Sequence, residues 1–85
     1  MTTPKIVIYT TPTCPDCLAV KRWLVARGFA FIEHDLRDPA IADEAKARTG
    51  LRIEPITVID DKVFYGTFAG QRSELEAALG LAPAV

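Results

Sequence analysis

The stretch KIVIYTTPTCPDC, Lys5 to Cys17, decides how the rest of the chain is read. Its opening KIVIY, Lys5 to Tyr9, is β-branched and bounded by turn formers, so it reads as a buried strand. TTPTCP is turn-like and leads into a helix, with Pro15 at the first helical position, where a missing N–H is no loss. The only two cysteines, Cys14 and Cys17, therefore fall at the start of that helix, Cys14 at about the N-cap.

Outward from this stretch the pattern continues in alternating elements. Leu18, Val20, Trp23, Leu24 and Val25 give the first helix an apolar stripe, and Lys21, Arg22 and Arg27 are expected to face outward. Gly28 ends it as a C′ residue, with Arg27 in the last turn. FAFIEHDL, Phe29 to Leu36, reads as a second strand. Asp38 and Pro39 are a cap and first residue for a second helix that runs to Gly50. That helix is Ala-rich with Ile41 as its main apolar anchor, so it is expected to be peripheral. ITVID and KVFY form a hairpin turning at Asp60 and Asp61. After the loop GTFAGQR, Ser73 and Glu76 suggest a capping box for a last helix, closed by Gly80.

The order is β-α-β-α-β-β-α. A strand, crossover helix and strand of this length form a right-handed parallel unit. The expected architecture is an α/β domain with a four-stranded mixed sheet flanked by three helices. At 85 residues, 49% hydrophobic, the chain suits a single domain over 1–85, without a deep cavity of its own. Chemistry is then expected at the surface, on a partner's chain or a small ligand in a groove.

Ten lysines and arginines against eleven acids leave a net charge of −1, scattered along the chain. No basic stripe invites nucleic acid and no apolar run approaches the roughly 20 residues that span a bilayer. The N-terminus lacks the pattern of a secretory signal, and two cysteines do not staple a secreted scaffold. The expected setting is a reducing cytoplasm, and the expected state a monomer.

Three readings compete for Cys14 and Cys17. A structural zinc site wants four ligands, and beyond the cysteines only His34 and carboxylates could complete it, so no metal is expected. A static disulfide closing so short a loop restricts little chain entropy. A reactive pair fits best. The unpaired N–H groups and positive end of a helix N-terminus stabilise a thiolate. Spacing of i, i+3 sets the Cα atoms about 5 Å apart, so the pair can open and close with little backbone movement. Cys17 lies one turn further in and is expected to be the more buried thiol. Asp16 should stabilise the first turn yet repel a neighbouring thiolate, partly offsetting the dipole.

With this layout the chain resembles the thioredoxin-like superfamily, and within it the small glutaredoxins and NrdH-redoxins. The likeness runs from KIVIYTTPTCPDC through KRWLVARGFAFIEHDL to RIEPITVID and the last glycine-containing loop. The resemblance implies a thioredoxin-like fold and a thiol–disulfide oxidoreductase with Cys14 as nucleophile and Cys17 as resolving thiol. It also implies that Pro55 is the family's cis-proline opposite the cysteines. Glu54 beside it would then offer backbone groups to a substrate chain in a strand-like contact. By the same comparison Thr11, Pro12, Pro15, Asp16, Glu54, Pro55 and Gly70 are the expected substrate contacts.

This sequence departs from the glutaredoxin pattern where glutathione is gripped. Thr11 stands where a lysine or arginine is usual, Glu54 sits beside the proline, and of the paired glycines only Gly70 survives. Glutathione carries two carboxylates, so these exchanges argue against tight binding, with Arg52 or Arg72 as the cations that could compensate. FYGTFAG loosely echoes the Trp-Ser-Gly-Phe-type stretch of NrdH-redoxins. The expectation is a dithiol redoxin with no bound cofactor, recycled by thioredoxin reductase, and with glutathione as the alternative co-substrate. Expected partners are disulfide-containing proteins, such as ribonucleotide reductase, peroxidases or methionine sulfoxide reductases. A non-catalytic thioredoxin-like binding module or an iron–sulfur carrier is the rival from another class. His34 is expected to be a solvated or hydrogen-bonded strand residue and Trp23 a packing residue. Tyr9 and Phe68 suit either the core or the groove.

Overall fold

A computed structural model describes residues 3–51 and 53–81 of the chain. The elements are β1 (Ile6–Thr10), α1 (Pro15–Ala26), β2 (Ile32–Asp35), α2 (Pro39–Thr49), β3 (Ile56–Ile59), β4 (Lys62–Tyr65) and α3 (Phe68–Ala78). The strands form one sheet in the order β2-β1-β3-β4. β1 runs parallel to β2 (Val7 opposite Ile32) and antiparallel to β3 (Tyr9 opposite Ile56). The β3–β4 hairpin completes the mixed sheet.

All five residues of β1 are buried. Alternate side chains serve two different cores, because successive residues of a strand point to opposite faces. Ile6 and Ile8 join Val20, Trp23, Leu24, Ile59 and Leu75 under α1 and α3. Val7 and Tyr9 join Ala45, Ile56 and Val58 under α2. The Tyr9 hydroxyl, inside the second core, donates to Glu44 Oε2 at 3.0 Å and accepts from Arg48 at 3.4 Å. Burial is the main force pushing the Tyr9 phenol above its ordinary range, Arg48 opposing it and Glu44 adding to it. The His34 ring stacks on that of Tyr9 at 5.6 Å. The peripheral α2 is thus held by a buried tyrosine as well as by Ala45.

Several sequence-based boundaries are corrected. Leu18 and Val25 belong by pattern to the α1 stripe, yet they are 44% and 66% exposed; Cys17 fills the stripe instead. β2 begins at Ile32, not Phe29. The Phe29 N–H is taken by the Leu24 carbonyl and the Gly28 N–H by that of Val25, which closes α1 around a left-handed Gly28. Arg27 is the C-cap, and its guanidinium lies 5.2 Å from the centre of the Trp23 ring. α3 begins at Phe68, well before Ser73. Its N-cap is Thr67, whose hydroxyl accepts from the Gly70 N–H at 3.1 Å. Asp38, Gly50 and the Asp60–Asp61 turn stand where the sequence put them. Asp60 adopts φ 56°, which its short polar side chain tolerates.

No helix among the described residues is long and apolar enough to cross a membrane. At the edge of the sheet, Glu33 Oε2 accepts from Lys21 Nζ at 2.8 Å and from the buried Thr10 hydroxyl at 2.6 Å. The Lys21 contact, then Thr10, holds the Glu33 carboxyl below its ordinary value of 4.5. An unfolded chain would therefore take up this proton first as pH falls. The Glu33 contribution is present above pH 4.5 and is lost as pH drops through the lower folded value. Lys21→Met should cost about 0.5 kcal/mol at pH 7, the pair being partly exposed, and less at pH 3. Urea unfolding at both pH values checks this; an equal cost at each would contradict it.

Candidate active site

Cys14 and Cys17 are joined as a disulfide across the first turn of α1, their Cα atoms 5.2 Å apart. Cys14 is the N-cap residue in extended geometry, and its Sγ accepts the Cys17 N–H at 3.1 Å. An ordinary N-cap offers an oxygen at this point. Here sulfur occupies the position, directed at the positive end of the helix. Cys14 is half-buried, whereas Cys17 is 1% exposed among the core residues of α1. One sulfur is thus partly exposed at the helix N-terminus, and the other lies buried behind it.

Three loops meet around this turn. The Thr11 hydroxyl donates to Glu54 Oε1 at 2.9 Å, linking the end of β1 to the loop before β3. Asp16 Oδ1 accepts the Phe68 N–H at 3.1 Å, linking the cysteine turn to the first turn of α3. Gln71, fully buried on α3, closes the circuit. Its Nε2 donates to the Pro55 carbonyl at 3.0 Å and the Gly66 carbonyl at 2.9 Å, and its Oε1 accepts from Thr57 at 2.9 Å. Losing any one of these inside the protein would leave a buried group unpaired, at about 1–3 kcal/mol.

The expected site residues are placed as follows. The Glu54–Pro55 bond is cis and Pro55 is buried. Thr11 and Glu54 are brought together in the lining of a cleft of about 380 Å³, between α2 and the loop before β3. Pro12, next to Thr11 in the chain, lines a second, smaller hollow with Thr10, Lys21, Glu33 and Asp35. Pro15 is exposed at the start of α1. Gly70 is exposed too, but its N–H is engaged by Thr67 and a Cβ there would approach the Thr67 hydroxyl to 3.2 Å. Arg72 is half-buried, and its Nε is buried without a hydrogen-bond partner among the described residues. Arg52 lies outside the described residues. Trp23 packs against Phe68, with ring centres 6.1 Å apart. Among the described residues no three His, Cys, Asp or Glu side chains gather as a metal cluster.

Two residues of the site go beyond the sequence reading. By pattern Gln71 falls in the loop GTFAGQR, although its spacing from Phe68 and Leu75 puts it on their helical face. Asp16 shows only its charge in the sequence, and its bond to Phe68 depends on a contact 52 residues away.

Residues 6–64 match the glutaredoxin family. Among solved structures, the thioredoxin-like protein BC3987 is 33% identical with a TM-score of 0.79, over 88% of this chain and all of that one. The NrdH-redoxin of Escherichia coli is 30% identical with a TM-score of 0.68, over 95% of this chain and 99% of its own. A glutaredoxin of Archaeoglobus fulgidus shares the fold at 18% identity and a TM-score of 0.73, covering 89% and 86%. No curated protein sequence matches. The chain belongs to the glutaredoxin family, with a thioredoxin-like fold and a cysteine pair suited to thiol–disulfide chemistry.

The bond from Asp16 to α3 makes its two effects separable. Asp16→Asn keeps an acceptor but removes the charge beside Cys14. In reduced protein it should shift the pH midpoint of Cys14 thiolate formation down by a few tenths of a unit, about 0.5 kcal/mol. Asp16→Ala should shift it similarly and also cost about 1 kcal/mol of stability through the lost cap. Thiolate absorbance against pH, with urea unfolding alongside, checks both; an unchanged or raised midpoint in Asp16→Asn would contradict the charge effect.

Proposed function

We propose that this glutaredoxin-family protein is a dithiol electron carrier that reduces disulfides on other proteins and is reset by a thioredoxin reductase. The observation that carries the chemistry is the Cys17 N–H directed at Cys14 Sγ, with Cys17 buried one turn behind. In the reduced protein, Cys14 thiolate attacks a substrate disulfide. An S–S bond forms to one substrate sulfur as the other leaves as thiolate and takes a proton. Cys17, losing its proton, then attacks Cys14 Sγ and expels the second substrate sulfur. Two electrons have passed to the substrate, and the Cys14–Cys17 disulfide remains for the reductase, drawing on NADPH, to reopen.

Pro55 has no N–H to offer a substrate chain, and the backbone at Glu54 is suited to align a substrate strand. The choice of electron donor rests on Thr11 and Glu54. A hydroxyl and a carboxylate, bonded to each other, occupy the region where glutaredoxins typically place cations for glutathione. The structurally similar Escherichia coli NrdH-redoxin is described as glutaredoxin-like with a thioredoxin-like activity profile, which supports the same assignment here. Ribonucleotide reductase, peroxidases and methionine sulfoxide reductases are suitable substrates, met by a monomer in a reducing cytoplasm.

A glutathione-dependent cycle is the second reading, favoured by Lys46 at the cleft. NADPH oxidation with a protein disulfide should be faster with thioredoxin reductase than with glutathione and its reductase, and Cys17→Ser should accumulate a mixed disulfide with substrate. The reverse preference would select the glutathione cycle. Turnover with neither, together with visible absorption after anaerobic purification, would point to an iron–sulfur carrier.

A further inference from the structure

Glu54 lines the 380 Å³ cleft, next to Pro55 in the chain and tied to the loop that carries Cys14. The walls of that cleft are aliphatic: Leu36, Leu51, Ile53 and Ile56. Among the described residues its charged lining is the carboxylates of Glu54 and Asp43 and the ammonium of Lys46. Among the described residues Lys46 forms no ion pair with either carboxylate. The exposed bond from Thr11 orients Glu54 before any ligand arrives, which lowers the ordering needed on binding.

We propose that this cleft is a subsite for a lysine or arginine side chain close to the cysteine of a substrate disulfide. The methylene stem lies along the aliphatic wall and the cationic head reaches Glu54, the usual way an amphipathic side chain divides itself. Such a subsite ranks disulfides by the charge of a neighbouring residue. It favours cationic peptides and disfavours anionic ones, glutathione included. The proposal rests on the disulfide-reducing reading and adds its substrate preference.

Three disulfide-bridged peptides, identical except for lysine, leucine or glutamate beside one cysteine, test this with reduced protein. Rates are read by quenching with an alkylating agent and mass spectrometry. The lysine peptide should be reduced about fivefold faster than the glutamate peptide, the scale expected when a partly exposed ionic attraction is replaced by repulsion. Glu54→Lys should reverse the order. Asp61→Asn removes an equal charge at the opposite end of the sheet and should leave the ratio intact. The wild-type ratio should also shrink as salt rises, a readout that needs no variant. Equal rates, a faster glutamate peptide through Lys46, or a ratio that follows Asp61 rather than Glu54 would overturn the subsite. A protein that reduces none of the peptides, nor a small aromatic disulfide, would overturn the redox reading and the subsite with it.

Discussion

The central strand β1 is the constraint on which the molecule depends. It is buried on both faces and hydrogen-bonded on both edges, so it has no freedom to slide or turn. A one-residue slip would send Ile6 and Ile8 to the wrong core. With β1 fixed, the short run from Thr11 to Cys14 must deliver the chain to α1 at one place. Pro15 then starts the helix immediately. The reachable sulfur is held at the helix N-terminus because the strand before it cannot move.

Around that point, hydrogen bonds between elements add to the two cores on either side of β1. Thr11 binds Glu54, Asp16 binds the start of α3, and the Gln71 amide holds Pro55 and Gly66. Apart from the local Gln71–Gly66 bond, each joins segments distant in sequence, and together they link the cysteine turn, the cis-proline loop and the α3 start. Asp16 illustrates the compromise. Its carboxylate lies in the first turn of α1, yet it also satisfies an orphan N–H of α3. Its negative charge is shared between two helix N-termini, which explains how an acid is accommodated between two reactive thiols.

Most of the architecture was legible because it is local. β1, the Cys14 cap, the Asp38 cap, Gly50 and the hairpin turn each declare themselves through neighbouring residues. The failures share a cause in tertiary context. Leu18 and Val25 are apolar by composition but lie off the face that Val20, Trp23 and Leu24 bury. Phe29 belongs by pattern to a strand, and by its N–H to the end of α1. Thr67 outcompeted Ser73 as the cap because an earlier start brings Gln71 and Leu75 onto one buried face. Within the site, the cysteines were visible from spacing alone. The partners of Asp16, Glu54 and Gln71 were not, since no pattern within one element encodes a contact across three loops.

Two chemically identical thiols hold unequal positions at the start of α1, and that inequality can be measured directly. Reduced protein is treated with iodoacetamide across a range of pH, and each cysteine is quantified by peptide mapping. Cys14 should be alkylated first, with a midpoint below the ordinary thiol value of about 8.5, and Cys17 at least about tenfold more slowly. Equal labelling, faster labelling of Cys17, or a Cys14 midpoint at or above the ordinary value would contradict the assignment of Cys14 as the helix-activated nucleophile.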